Sequence, residues 1–149
     1  MSILANRTHG VRELVDRLFN EVLNQQRLGI IDELFAGNFI LYTGHQPVMG
    51  PAELRKFIAH FIQAFPDIQH AIEDLVFEGD KVVVRWCGHG TQRETFFGID
   101  ATNRPMSYTG IIVLRVHDGR FVEGWISADL LGLLLCLTDV QGVLTCSLP

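Results

Sequence analysis

Glu78-Gly79-Asp80-Lys81-Val82-Val83-Val84-Arg85-Trp86-Cys87 decides how this chain is read. Gly79-Asp80 is a two-residue hairpin signal, so Gln69 to Glu78 and Lys81 to Gly90 read as its antiparallel strands. In the second strand Val82, Val84 and Trp86 fall on one face and Val83 and Cys87 on the other. Both faces of that strand are therefore apolar, and both need to be covered.

The pattern repeats downstream. Asp118-Gly119 separates Pro105–His117 from Arg120–Ser127, a second hairpin, and Ile111, Ile112, Val113 and Leu114 again place apolar residues on both faces. Thr91 to Gly98 reads as a further strand and Asp100 to Pro105 as a connecting loop. Upstream the period changes to that of a helix. Val11, Leu14, Val15, Leu18, Phe19 and Val22 form one apolar stripe, predicting a helix from about residue 8 to 25. Ile30, Ile31, Leu34 and Phe35 predict a short second helix near residues 28–36, stopped by Gly37-Asn38. Phe39 to Thr43 reads as a short strand and Gly44 to Pro51 as a loop. Pro51 suits the first turn of a third helix over residues 51–64, striped by Leu54, Phe57, Ile58, Phe61, Ile62 and Phe65.

Helices followed by paired strands give an α+β fold. The expectation is a single domain over residues 1–149 in which a curved, cone-shaped antiparallel sheet wraps around the N-terminal helices. One helical layer leaves the other sheet face open. A homodimer packed sheet to sheet would cover it, and a sheet curled enough to meet the C-terminal tail is the alternative.

Composition narrows function. The formal charge of −5 over 149 residues, with no Lys/Arg cluster, argues against a nucleic-acid partner. Mean hydropathy is +0.22, which again suggests a covered apolar surface. No apolar run is long enough to span a bilayer, and Met1 to His9 lacks a signal pattern. Cys87, Cys136 and Cys146 are odd in number and scattered, so reduced thiols in the cytoplasm are expected. No HExxH, CxxC, GxSxG, Walker-type or GxGxxG motif occurs, so neither a metal nor a cofactor is expected. What remains is a proton-transfer site or a binding site without catalysis.

Polar residues that could face the interior of the cone are the candidates. Asp129 ends the strand Phe121–Ser127, and strict alternation puts it on one face with Phe121, Glu123 and Trp125. Beside an indole its carboxyl group could act as an acid/base, but spacing alone favours Asp before the apolar run Leu130–Leu137 as an N-cap. His45 sits in a loop where, as a second catalytic candidate, it could donate to a substrate carbonyl or share the proton work, or simply lie at the surface. Arg85 interrupts an apolar strand and needs a carboxylate partner, with Glu73, Glu94, Glu123 and Asp129 in view. Tyr42 and Tyr108 could offer hydroxyls to a pocket, and Trp86 and Trp125 read first as core. His9, His60, His70 and His117 read as helix-surface or turn residues.

Several segments together resemble one family. They are His45-Gln46-Pro47 before Gly50-Pro51, Ala64-Phe65-Pro66-Asp67, Glu73-Asp74-Leu75-Val76, Val84-Arg85-Trp86, Phe97-Gly98-Ile99, and the ending with Arg115, Asp118-Gly119, Glu123, Trp125, Asp129 and Leu133. From about Val11 to Leu137 the chain looks like the SnoaL-like polyketide cyclases of the nuclear transport factor two-like superfamily. That resemblance implies a cone-shaped fold, usually dimeric. It also implies a cofactor-free intramolecular aldol condensation, or a related isomerisation, of a small apolar carbonyl compound, with the acid/base role carried onto Asp129. A non-catalytic small-molecule-binding or dimerisation module of the same fold is the alternative. The chain departs from the family at Ile112 and Gln92, where relatives have histidine, and at Cys136-Leu137-Thr138 after the final segment.

Overall fold

The computed structural model describes residues 2–138; Cys146 and the chain beyond Thr138 lie outside them. Helix α1 (Ile3–Arg17) starts five residues before the apolar stripe predicts. Ser2 caps it by accepting from the Ala5 N–H, and Ile3 and Leu4 face solvent, so no stripe marks that first turn. A π-helical segment, Leu18–Asn24, continues α1 and buries Leu18, Phe19 and Val22.

The predicted second helix is divided. A 3₁₀ turn, Leu28–Ile30, leads into α2 (Ile31–Leu34), and β1 (Phe35–Tyr42) follows at once. Gly37-Asn38 therefore does not end a helix. It lies within β1, where the register shifts between Phe35 and Ile40. Strand β2 (Val48–Met49) occupies the predicted loop, and α3 (Gly50–Ala64) carries Pro51 in its first turn as expected.

Strands β3 (Gln69–Glu78), β4 (Lys81–Thr91), β5 (Pro105–His117) and β6 (Arg120–Ala128) form the meander. The sheet order is β2-β1-β6-β5-β4-β3. All pairs are antiparallel except β1–β6, which run parallel with Tyr42 opposite Trp125. The sheet is thus mixed rather than antiparallel throughout, because the first long strand pairs with the last. The strand expected at Thr91–Gly98 is absent: β4 ends at Thr91, and the loop after it holds a single bridge between Phe96 and Ile99. Gln92, fully buried, pins this loop. Its Nε2 donates to the Ile99 carbonyl (2.9 Å), and its Oε1 accepts from the Thr102 hydroxyl (2.8 Å).

One buried cluster joins the helices to the inner sheet face: Val15, Val22, Ile31 and Leu34 meet Val82, Val84, Leu114 and Phe121. Helix α4 (Leu130–Leu137) sends Leu133 and Leu137 into the same cluster. Among the described residues no helix is long and apolar enough to cross a membrane.

Candidate functional site

Two bulges set which side chains face inward. In β3, Ile72 pairs with Trp86 and Asp74 with Arg85, so Glu73 is the extra residue. Glu73 and Asp74 therefore both turn outward and both pair with Arg85, whose Nε donates to Asp74 Oδ2 at 2.7 Å. In β6, Phe121 pairs with Val116 and Glu123 with Arg115, leaving Val122 extra. Phe121 is thus buried in the core while Trp125, two residues beyond Glu123, stays over a third exposed. The single face predicted from Phe121 to Asp129 is broken by that bulge.

The outer face accordingly gathers four of the candidates. Tyr42 stacks on Trp125 (centroids 5.7 Å apart, planes at 16°). Arg115 lies over the same indole (5.9 Å) and donates to Glu123 (3.0 Å). Arg85 completes the group with Glu73 and Asp74. These exposed ion pairs hold the Arg85 and Arg115 guanidinium groups firmly charged. His45 is exposed in the loop after β1. Asp129 is exposed where β6 meets α4; its Oδ1 accepts from the Gly132 N–H (2.8 Å), and its own N–H donates to the Thr109 carbonyl (2.9 Å). Of the two alternatives open for Asp129, this geometry is that of the N-cap.

Tyr108 is the candidate that faces the interior. It is 8% exposed, and its hydroxyl lies 2.7 Å from His70 Nε2. Trp86 packs edge-on against both rings, 4.8 Å from Tyr108 and 5.4 Å from His70. Phe61 (5.3 Å from Tyr108) and Phe19 (6.4 Å from His70) close the surround. The inner face makes room for these rings by omitting side chains. A Cβ on Gly88 would stand 2.5 Å from the Tyr108 ring, and one on Gly110 would stand 2.2 Å from Trp86.

Burial, and then the nearby His89, push His70 down to about 4, so its imidazole is neutral. Burial likewise raises Tyr108, keeping the phenol protonated. His70 Nδ1 is buried with no hydrogen-bond partner. His70 is therefore an interior residue and not the surface or turn histidine expected from the sequence. The signal that could have found it is the alternation Ile68, His70, Ile72, which puts the imidazole on the apolar side of β3.

Two open grooves flank α1. One, of about 670 Å³, lies between Arg7, Leu14 and the turns at Gly79 and Gly119; the other, of about 510 Å³, runs along the helix by Arg12 and Asn20. Neither contains a candidate residue. No group of three His, Cys, Asp or Glu among the described residues is arranged to hold a metal ion.

Known proteins share both the sequence pattern and the fold. The family model described as SnoaL-like polyketide cyclase matches residues 13–137. A solved structure from Jannaschia sp. CCS1, provisionally named a SnoaL-like polyketide cyclase, is 26% identical; the match covers 89% of this chain and 93% of that one, with a TM-score of 0.82. IdmH of Streptomyces antibioticus, provisionally named a polyketide cyclase, is 27% identical over 85% of this chain and 96% of its own, with a TM-score of 0.75. AclR of Streptomyces galilaeus, provisionally named a hydroxylase, is 26% identical over 89% and 96%, also with a TM-score of 0.75. No curated protein matches the chain.

Proposed function

This chain belongs to the SnoaL-like polyketide cyclase family, and on that premise we propose that it binds a small, largely apolar, polyketide-like molecule inside its cone. The observation that carries this reading is the largely buried His70–Tyr108 pair, set among Trp86, Phe61 and Phe19. A polar pair set in an aromatic interior is the usual design of a small-molecule site, in which apolar walls give affinity and a few polar groups give orientation. The fold alone does not fix the chemistry, since similar structures carry names as different as cyclase and hydroxylase.

A second reading adds catalysis: Asp129 acts as acid/base in a cofactor-free intramolecular aldol condensation or isomerisation. The observation favouring it is position. Asp129 lies within the matched span, at the β6–α4 junction, and its N–H bonds the carbonyl of Thr109, the residue after Tyr108. Only its Oδ1 is engaged by Gly132, which leaves Oδ2 free of that bond.

The outer sheet face is assigned to a second copy of the chain. Ile111, Trp125 and Tyr42 remain partly exposed there, edged by guanidinium and carboxylate groups of both signs that a two-fold arrangement can pair with one another. The functional reading is tested by screening the purified protein against polyketide-like and β-dicarbonyl compounds, by thermal shift with product analysis by mass spectrometry. Compounds that raise the melting temperature in proportion to the logarithm of their concentration support binding, and an altered product mass supports catalysis. A library that leaves the melting temperature unmoved would refute the reading.

A further inference from the structure

Resting on the reading of the cone as a ligand chamber, we propose that His70 and Tyr108 together form the recognition point for an uncharged carbonyl oxygen on a flat, apolar ligand. Counting hydrogens leads to this assignment. A neutral imidazole carries one N–H and a phenol one O–H, and the contact at 2.7 Å between Nε2 and the hydroxyl uses only one of the two. If Tyr108 donates, the remaining proton sits on His70 Nδ1, which is buried without a protein partner. If His70 Nε2 donates, the Tyr108 hydroxyl proton is the one left over. Either tautomer leaves the pair with one surplus donor, and a buried donor without an acceptor is unfavourable. The second tautomer also leaves Nδ1 as an unpaired acceptor, so the partner that answers the surplus proton common to both tautomers is an acceptor.

The surroundings exclude a charged one. The rings in contact with the pair are Trp86, Phe61 and Phe19. The charged side chains of β4 and β5, Lys81, Arg85 and Arg115, lie on the opposite face of the sheet, Lys81 over Trp125 and the two arginines in ion pairs. A carboxylate brought to this point would be desolvated with no counter-charge. A ketone or ester oxygen accepts the surplus proton without that cost, and a planar ligand suits walls made of ring faces and edges. Asn24 fixes the geometry. Its Nδ2 donates to the His70 carbonyl (2.9 Å), and its Oδ1 accepts from the His70 N–H (2.7 Å), so the imidazole is presented from a clamped backbone.

The probe is 1-indanone, compared with indane, which has the same carbon skeleton and no acceptor, and with indane-1-carboxylate, which is charged. Titration of the purified protein is expected to give 1-indanone an affinity about tenfold or more above that of indane, with the carboxylate weaker than either. Each single variant keeps one donor, so the decisive variant is Tyr108→Phe/His70→Leu, which removes both. It should bind the two neutral probes equally. A measurement that needs no variant is the infrared stretch of 1-indanone labelled at the carbonyl carbon, which should move to lower frequency when bound than in a hydrocarbon solvent. Equal binding of indanone and indane to the wild type, an unshifted carbonyl stretch, or a preference that survives in the double variant would each overturn the proposal while leaving an apolar chamber. Failure of all three probes to bind would overturn the chamber as well.

Discussion

Asn24, at the end of the π-helical segment, holds both backbone polar groups of His70 on the edge strand β3. An edge strand leaves one row of N–H and C=O groups without a strand partner. At His70 that row is answered by a side-chain amide from the helical layer. The clamp sets the imidazole between Phe19, Trp86 and Tyr108, and this enclosure makes the residue sensitive to pH.

In the folded protein His70 titrates near 4, and in the unfolded chain near 6.5. Below 6.5 the unfolded state therefore binds more protons, and stability falls as pH falls. The contribution is fully present above pH 6.5 and is lost progressively towards pH 4, amounting to about 3 kcal/mol across that window. Urea unfolding of the wild type at pH 7 and pH 4.5 should show this loss, and His70→Gln, which does not titrate, should show a smaller slope over the same interval.

Gly110→Ala should destabilise the protein by about 1–3 kcal/mol, because its Cβ would be 2.2 Å from the Trp86 ring. Gly10→Ala makes the opposite prediction. Gly10 lies inside α1 with nothing within 4 Å of an added methyl group, so alanine should stabilise by about 0.5–1 kcal/mol through helix propensity and a less flexible unfolded chain. Chemical denaturation of both variants checks the pair, and a gain from Gly110→Ala would contradict the close packing described.

Asp129→Ala should cost about 1 kcal/mol by removing the cap on Gly132, and Asp129→Asn much less, since asparagine caps as well. Stability and chemistry are thereby separated. If Asp129 is the acid/base of the second reading, Asp129→Asn should lower turnover by about 10²–10⁴-fold while leaving the melting temperature nearly unchanged. Unchanged turnover in Asp129→Asn would leave Asp129 as a cap alone.

The outer face predicts a dimer at micromolar concentration in sedimentation, with an interface above ~1,000 Å² in total. Ile111, 46% exposed in the middle of that face, is the residue to change. Ile111→Glu should give a monomer with an unaltered circular dichroism spectrum. A wild type that sediments as a monomer would remove the assignment of this face to a second copy.

Much of the fold can be read from local signals. Gly79 (φ +60°), Asp118 (φ +48°) and Gly119 (φ +74°) occupy the left-handed backbone positions that two-residue hairpin turns require, and Pro51 with the Leu54–Phe65 stripe locates α3. What cannot be read this way depends on partners distant in sequence. The bulges at Glu73 and Val122 exist only in relation to β4 and β5, so alternation carried across Val122 puts Trp125 on the wrong face. The parallel pairing of β1 with β6 and the reassignment of Gly37-Asn38 from helix stop to strand irregularity have the same origin. For the site, Tyr108 is legible as a possible pocket hydroxyl. His70 carries only the weak signal of its alternation with Ile68 and Ile72; its enclosure by Asn24 and Tyr108 depends on partners distant in sequence.

Whether a small molecule is held inside the cone at His70–Tyr108 is decided by a crystal structure of the protein with 1-indanone. The bicyclic ring is expected among Trp86, Phe61 and Phe19, with its carbonyl oxygen within hydrogen-bond distance of the Tyr108 hydroxyl or His70 Nδ1. A ring seated instead on the outer face beside Trp125, or in the grooves along α1, would place the ligand site elsewhere and refute the chamber.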